Sequence, residues 1–135
     1  MPVLGLQHVN IRTSDLARTI GFFRDVLSMK VGPSPRSTSM ENGAWVFDDN
    51  DSAVVHVAKA SMVYPSDATL PYKPSRGSGA IHHVALRCTG YDEIRHRIQG
   101  LGLEFHENHM PQLRQILVME PNGILFELNF PVDAP

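Results

Sequence analysis

Apolar and polar positions alternate in two similar segments of the chain, one near its start and one past its middle. Residues 6–12 (LQHVNIR) and residues 81–87 (IHHVALR) share the order apolar, x, His, Val, x, apolar, Arg. Their histidines, His8 and His83, are 83 − 8 = 75 residues apart. A period of two is typical of a strand with one buried face, and self-similarity at a fixed offset indicates an internal repeat. We therefore predict two equivalent strands that open two equivalent halves.

A segment with helical spacing follows each of these strands. Its apolar positions are Leu16, Ile20, Phe23 and Leu27 in the first half, and Tyr91, Ile94, Ile98 and Leu101 in the second. Spacings of three and four residues place such positions on one side of a helix, and Thr13-Ser14-Asp15 is a favourable N-cap sequence for the first helix. We predict one helix in each half, covering one face of a sheet.

Short strand-like runs complete each half. These runs lie at about 37–41, 44–48 and 52–59, and at about 103–107, 114–119 and 123–130. Between the halves, residues 60–79 contain several Pro, Gly and Ser residues, which predicts a linker or a lid. The predicted fold class is α+β, with a single domain over residues 1–135 built from two tandem βαβββ modules at 1–59 and 80–131.

Strand parity sorts the side chains of the predicted strands onto two faces. The apolar residues share the face toward the helices, so His8, His56, His83 and Glu127 share the opposite face. His56 and Glu127 stand at similar points in the last strand of each half, 127 − 56 = 71 residues apart. Imidazole and carboxylate groups are ligands for Fe(II), Mn(II), Ni(II) and Zn(II). We predict that His8, His83 and Glu127 hold a divalent metal ion, with His56 as a fourth ligand, an acid–base group or a pocket-lining residue.

The other four histidines carry weaker patterns. His82 has the opposite parity to His83, and His96 lies on the polar side of the second helix. We predict that both are incidental, as is His106. His109 ends the sequence His106-Glu107-Asn108-His109, which is predicted to be a loop that could fold over the metal site.

Composition narrows the range of partners and compartments. Twelve Lys and Arg against fourteen Asp and Glu give a net charge of −2, which argues against a surface for nucleic acid or anionic membrane. No apolar run approaches the length of a membrane span, and the first residues do not resemble a signal peptide. With the single cysteine Cys88 there is no internal disulfide, so a reducing cytoplasm is the expected location.

The paired halves, the histidine that opens each of them and the sequence Pro121-Asn122-Gly123 before Glu127 resemble the vicinal oxygen chelate superfamily. This superfamily includes glyoxalase I, type I extradiol dioxygenases, methylmalonyl-CoA epimerase and the fosfomycin and bleomycin resistance proteins. The resemblance covers about residues 4–130. It implies a half-barrel cavity in which His8, His83 and Glu127 bind a divalent ion, and a small-molecule substrate bound through vicinal oxygens. It also implies a homodimer, in which His8 comes from a different subunit than His83 and Glu127.

The C-terminal part of the chain is similar to the extradiol ring-cleavage signature. His109, an apolar pair ending at Leu117, the acidic-Pro-x-Gly turn 120–123 and Glu127 follow its order, although Leu117 replaces the Tyr of the signature. The leading functional hypothesis is therefore ring cleavage of a catechol-type substrate with O2, in which Fe(II) or Mn(II) is favoured over Ni(II) or Zn(II). His56 would accept a proton, and His109 would stabilise charge derived from oxygen.

Two alternatives stay open. Without the Tyr, the site can run glyoxalase-like or epimerase-like chemistry, or open an epoxide in a resistance reaction, with a metal-stabilised enediolate or epoxide. The chain can also be a non-catalytic drug-binding protein, but its intact His8, His83 and Glu127 count against that reading.

Overall fold

A computed structural model describes residues 2–132 of the chain, which forms two compact units, Met1–Pro74 and Ser75–Pro135. The predicted domain bounds 1 and 135 lie outside the described residues. No helix in this described range is long and apolar enough to cross a membrane.

The first unit carries a four-stranded mixed sheet. Its elements are β1 (Val9–Thr13), α1 (Leu16–Gly21) with a π-helical continuation (Phe22–Val26), β2 (Lys30–Gly32), β3 (Gly43–Phe47), β4 (Ala53–Lys59) and a 3-10 turn (Pro65–Ala68). The strand order is β1-β4-β3-β2. Strands β1 and β4 are parallel, and the other pairs are antiparallel. As predicted, Asp15 caps α1, and its side chain accepts from the Arg18 N–H.

The second unit repeats this plan. Its elements are β5 (Val84–Arg87), α2 (Tyr91–Gly100), β6 (Phe105–Met110), β7 (Leu113–Met119) and β8 (Leu125–Pro131). The strand order is β5-β8-β7-β6, again with one parallel pair between the first and last strands. The predicted α+β class with two βαβββ modules is confirmed, and neither sheet is closed into a barrel.

Each sheet buries the face that alternation predicted. Strands and helices of the first unit bury Ile11, Ile20, Phe23, Val26, Leu27, Val46, Val55 and Val57, and those of the second bury Tyr91, Ile94, Ile98, Ile116, Val118, Phe126, Leu128 and Phe130. Leu101, predicted as the last core position of the second helix, is 56% exposed because the helix ends at Gly100 and Leu101 is its C-cap.

Two predicted segments differ from the structure. Residues 37–41 form a loop, because the Ser37 and Ser39 side chains hydrogen-bond to nearby backbone groups and compete with strand pairing. The outer strand of this sheet is instead β2, which pairs with β3. The second difference lies at 106–109, predicted as a loop, which belongs to β6 and pairs along its whole length with β7.

The first part of the predicted linker 60–79 belongs to the first unit and contacts its strand β1. The Arg12 guanidinium lies 3.8 Å from the centre of the Tyr64 ring and 4.8 Å from that of Tyr72, and it donates to the Met62 carbonyl at 3.0 Å. Asp67 lies 4.0 Å from the same guanidinium, whose side chain is only 8% exposed. A buried cation needs such partners, so Arg12 fastens residues 62–72 onto the sheet face that carries Asn10.

The repeat extends to the turn between the last two strands of each unit. Asp48 and Glu120, 120 − 48 = 72 residues apart, each accept backbone N–H groups of the turn that follows them. Farther along β4 the offset falls by one, because Val46 pairs with Val55 and Phe47 with Ala53, which leaves Val54 as an extra residue in a β-bulge. The bulge accounts for the offset of 71 between His56 and Glu127.

Candidate functional site

The predicted site residues of each unit lie on the sheet face opposite the helix. In the first unit Asn10 pairs with His56, and His56 pairs with Trp45 on its other side. In the second unit Ala85 pairs with Glu127, and Glu127 pairs with Leu117. Directly paired residues of neighbouring strands point to the same side. Trp45 and Leu117 therefore occupy equivalent places in the two units, and so do His56 and Glu127.

His83 and Glu127 form a close pair in the second unit. His83 Nε2 lies 3.7 Å from Glu127 Oε2, and the two side chains are 37% and 18% exposed. One Asn129 amide N–H donates to the same Oε2 at 3.0 Å, whereas Oε1 has no hydrogen-bond partner among residues 2–132. A half-buried carboxylate with one oxygen held and the other open is suited to bind a cation.

The residue before each of the two strand histidines contacts its Nδ1 atom. Gln7 Oε1 lies 2.9 Å from His8 Nδ1, and His82 Nδ1 lies 2.9 Å from His83 Nδ1. Since an amide oxygen only accepts, His8 Nδ1 is the donor in this contact, and in the neutral imidazole this leaves a lone pair on Nε2. His83 reaches the same tautomer when its Nδ1–H donates to His82. Such outer partners orient the histidine ligands of metal sites, and the dipeptides Gln7-His8 and His82-His83 were the sequence signal for them.

In the first unit three rings are stacked in a row. The His8 and His56 rings are 3.9 Å apart at 19°, and the His56 and Trp45 rings are 4.2 Å apart at 3°. Both faces of the His56 ring are therefore covered, and its nitrogens are reached only at the ring edge. Burial and the neighbouring His8 lower the pKa of His56. His56 is thus a neutral imidazole at neutral pH, and its nitrogens have no hydrogen-bond partner among residues 2–132.

A concave pocket of about 360 Å³ lies on this face of the first unit. Asn10, Trp45 and His56 come from its sheet, and Met62 and Tyr64 from the segment that Arg12 fastens. The loop 34–42 supplies its other side, with three serines and Glu41 among the lining residues. The pocket thus combines a ring wall with many small polar groups, which suits a small oxygen-rich molecule.

His109 lies on the other face of its sheet from Glu127. In the pairing of β6, β7 and β8, His109 pairs with Arg114 and Arg114 with Phe130, a residue of the buried face. His109 Nε2 contacts the Tyr91 hydroxyl of α2 at 3.1 Å. The prediction that a loop carries His109 over the metal site is wrong, because its strand pairing points the side chain toward the helix.

The Glu120 carboxylate of the acidic-Pro-x-Gly turn serves the turn itself. Glu120 is 1% exposed and accepts from the backbone N–H groups of Asn122 and Ile124 and from the Asn122 side chain. A buried carboxylate is stable there because these donors replace water. This acidic residue of the signature therefore has a structural role.

Four polar side chains that the sequence reasoning missed continue the Glu127 face across the sheet. Asn108 Nδ2 donates to Gln115 Oε1 at 3.1 Å, Gln115 Nε2 donates to Asn129 Oδ1 at 2.8 Å, and Asn129 donates to Glu127. We call Asn108, Gln115 and Asn129 the amide ladder. His106, predicted as incidental, contacts its outer end at Asn108 Oδ1, 2.9 Å away. The sequence offered one signal, since His106 and Asn108 are two residues apart on β6, as are Glu127 and Asn129 on β8. The contacts between strands could not be predicted, because they depend on the strand register.

The donor set of the second unit fits a divalent metal ion. His83 Nε2 and Glu127 Oε2 are an imidazole nitrogen and a carboxylate oxygen 3.7 Å apart, and these two side chains would hold a divalent ion. Among residues 2–132 no group of three or more His, Cys, Asp or Glu side chains is arranged to hold a metal. The structure therefore brings together two of the three predicted ligands, and His8 belongs to the first unit.

The chain thus has two open sheets, each with a histidine directly before its first strand and a His or Glu on the polar face of its last strand. These features define a class of paired βαβββ proteins. The sequence model of the Glyoxalase/Bleomycin resistance protein/Dioxygenase superfamily matches residues 5–128, and the chain belongs to this superfamily. The match confirms the resemblance seen in the sequence. No curated protein sequence matches the chain.

Solved structures of low sequence identity share the fold. A glyoxalase/dioxygenase from Nostoc punctiforme has a TM-score of 0.72 at 13% identity, covering 96% of this chain and 92% of its own. The fosfomycin resistance protein FosX from Listeria monocytogenes has a TM-score of 0.64 at 20% identity, covering 96% and 94%. A virulence protein from Salmonella typhimurium has a TM-score of 0.66 at 18% identity, covering 98% and 100%. At these identities the likeness establishes the fold alone.

Proposed function

We propose that this protein is a metal-dependent enzyme that acts on a small molecule through two adjacent oxygens, by chemistry that does not consume O2. The observation that carries the proposal is the His83–Glu127 pair, in which His83 Nε2 lies 3.7 Å from one carboxylate oxygen and the other carboxylate oxygen has no hydrogen-bond partner among residues 2–132. His8 is the third proposed ligand, with its Nε2 lone pair prepared by Gln7. We also propose that the two units act as one domain in this role.

The chain's own groups divide the work of such a reaction. When bound, the metal would polarise the substrate oxygens and lower the pKa of a hydroxyl or of the adjacent C–H. His56 would take that proton at its ring edge, because its lowered pKa keeps it neutral and able to accept. The stacked rings of His8 and Trp45 hold its orientation. The reaction class would then be isomerisation, lyase chemistry or epoxide opening.

Two features favour this class over ring cleavage. Leu117, directly opposite Glu127 in the sheet, has no hydroxyl to handle substrate oxygens where the ring-cleavage signature has Tyr. His109 points toward the helix and away from the Glu127 face. Ring cleavage of a catechol with Fe(II) or Mn(II) stays the second candidate, supported by His56, which lines the pocket as a proton acceptor should.

We further propose that the working form is a homodimer. The edge strands β1 and β5 each pair on one side only within their sheets. Next to β1, the apolar side chains of Val3, Leu4 and Leu6 are 74%, 97% and 87% exposed, and exposed apolar groups of this kind mark association surfaces. A dimer would allow His8 of one subunit to join His83 and Glu127 of the other. Sedimentation of the purified protein tests this, and a monomer at micromolar concentration contradicts it.

The reaction class is tested by offering Fe(II), Mn(II), Ni(II) and Zn(II) separately to metal-free protein and then supplying three substrates. These are a catechol, the hemithioacetal of methylglyoxal and glutathione, and the epoxide fosfomycin with a thiol or water. We expect one bound ion per chain and turnover of the second or third substrate under argon. The exposed helix residue His96 provides the control variant His96→Gln, which should behave as wild type. Failure to bind any of the four ions overturns the proposal, and O2 uptake with ring fission supports the second candidate instead.

A further inference from the structure

We propose that Asn129 is a positioning residue for Glu127, and that Gln115 holds Asn129 in the orientation in which it donates to the carboxylate. This inference rests on the proposed function, because it takes Glu127 as a metal ligand. It concerns side chains that sequence patterns did not single out.

The direction of the amide ladder follows from its inner end. A carboxylate only accepts hydrogen bonds, so Asn129 must turn its Nδ2 toward Glu127 and its Oδ1 toward Gln115. Gln115 must then present Nε2 to Asn129 and Oε1 to Asn108. Every amide is thus oriented by one charge, and each bond in such a chain strengthens the next.

Strand register places the three amides of the ladder directly beside one another on neighbouring strands. Asn108, Gln115 and Asn129 are direct pairing partners on β6, β7 and β8, and Asn129 lies two residues from Glu127 on the same side of β8. All three side chains are half-buried, which limits competition from water. Asn129 therefore fixes the Glu127 carboxylate with its Oε2 near His83 and its Oε1 open.

The first unit shows that the fold does not need this ladder. The equivalents of Gln115 and Asn129 there are Gly43 and Ala58, which pair with each other in the same register. That unit builds its sheet without an amide at either position, and its counterpart of Glu127 is His56. The ladder thus occurs in the unit that holds a carboxylate to be oriented, as expected for a positioning device and not for a folding requirement.

Mn(II) affinity of the purified full-length chain tests the proposal without relying on turnover. We expect Asn129→Leu, which removes the donor at similar volume, to weaken Mn(II) binding by about 10-fold to 100-fold, the range typical of outer partners of metal ligands. Gln115→Glu leaves Asn129 in place but offers it only acceptors, so Asn129 should turn its Oδ1 toward Glu127 and binding should also weaken. Asn108→Leu, at the far end of the ladder, is the control and should change binding by less than about 3-fold.

Thermal unfolding of the metal-free variants separates positioning from folding. We expect Gln115→Glu to unfold within a few degrees of wild type while it binds Mn(II) more weakly, and this pair of results supports the proposal even if Asn129→Leu folds poorly. Wild-type affinity in both Asn129→Leu and Gln115→Glu overturns this inference and leaves the proposed function standing. Absence of Mn(II) binding by wild-type protein, with Fe(II), Ni(II) and Zn(II) also failing, overturns both.

Discussion

The two units of this protein use one backbone plan for two different side-chain arrangements. In the first, His8, His56 and Trp45 form a stack of rings beside a pocket of about 360 Å³. In the second, His83 faces Glu127, Leu117 stands in the place of Trp45, and the Asn129 amide donates to the carboxylate. The difference shows that equivalent strand positions point their side chains to the same sheet face in both units. What each unit does depends on which residue occupies them.

The largest contrast is expected when the equivalent residues His56 and Glu127 are changed. Glu127→Gln removes the only carboxylate of the proposed ligand set, so metal affinity should fall by about 100-fold or more, while the fold survives because Glu127 lies on the sheet face opposite the helix, outside the buried core. His56→Gln should lower turnover far more than affinity. Calorimetric titration with Mn(II), paired with a turnover assay, measures both. Equal losses of affinity in the two variants would make His56 a ligand and erase the contrast.

The two turn carboxylates give the next contrast. Glu120 is buried, and its removal leaves turn N–H groups without partners, so Glu120→Ala should lower the free energy of unfolding by roughly 3 kcal/mol. Asp48 is half-buried at the equivalent turn, where water can replace it, so Asp48→Ala should cost about 1 kcal/mol. Urea unfolding measures both variants. Similar losses would show that burial does not distinguish the turns.

The residues with positive φ in the same turns should respond with opposite signs. Gly123 has φ +83°, and an added Cβ would lie 3.1 Å from Arg76 Cγ, so Gly123→Ala should destabilise by about 1 to 2 kcal/mol. Asp51, its equivalent, has φ +59°, and Asp51→Gly should stabilise slightly, by less than about 1 kcal/mol, after losing an exposed ion pair with Lys30. A destabilised Asp51→Gly would show that the ion pair outweighs the backbone term.

The smallest expected effect concerns Glu107 of the outer strand β6 and the stability of the protein at acid pH. Strand β6 is tied to α2 through Glu107, which accepts from the Tyr91 hydroxyl and from Arg95 at 2.9 Å, and these contacts lower the pKa of Glu107. An acid with a lowered folded-state pKa contributes stability that is present above its unfolded pKa and lost as the pH falls through the folded pKa. Glu107→Gln should therefore reduce the decrease in the free energy of unfolding below about pH 4.5, by less than about 1 kcal/mol. Chemical unfolding from pH 7 to pH 3 measures it, and an unchanged acid limb contradicts it.

Periodicity predicted the parts of this molecule that depend on short-range pattern. The faces of β1, β4, β5 and β8 follow from alternation. Neighbouring residues of a strand point to opposite faces of the sheet, so a buried Val55 requires His56 to lie on the opposite face. The internal offset also predicted that Glu127 would stand in the place of His56. The face predictions hold because each depends on residues one or two positions apart, and the offset holds because both units repeat one strand order.

The remaining features depend on partners far along the chain. The run around Ser37 reads as a strand, but its hydroxyl groups bond to the local backbone, and the short β2 takes the edge position. Arg12 is fastened by rings more than fifty residues away, which no local pattern reveals. The direction of His109 and the amide ladder both require the register of β6 with β7.

The proposed function requires that His8, His83 and Glu127 together hold one divalent ion. Electron spin echo measurements on the Mn(II)-loaded protein count the imidazole nitrogens bound to the metal. We predict two in wild type, one in His8→Gln, one in His83→Gln and two in His56→Gln. A wild-type protein with no bound imidazole, or a His8→Gln variant that keeps both, would contradict the claim.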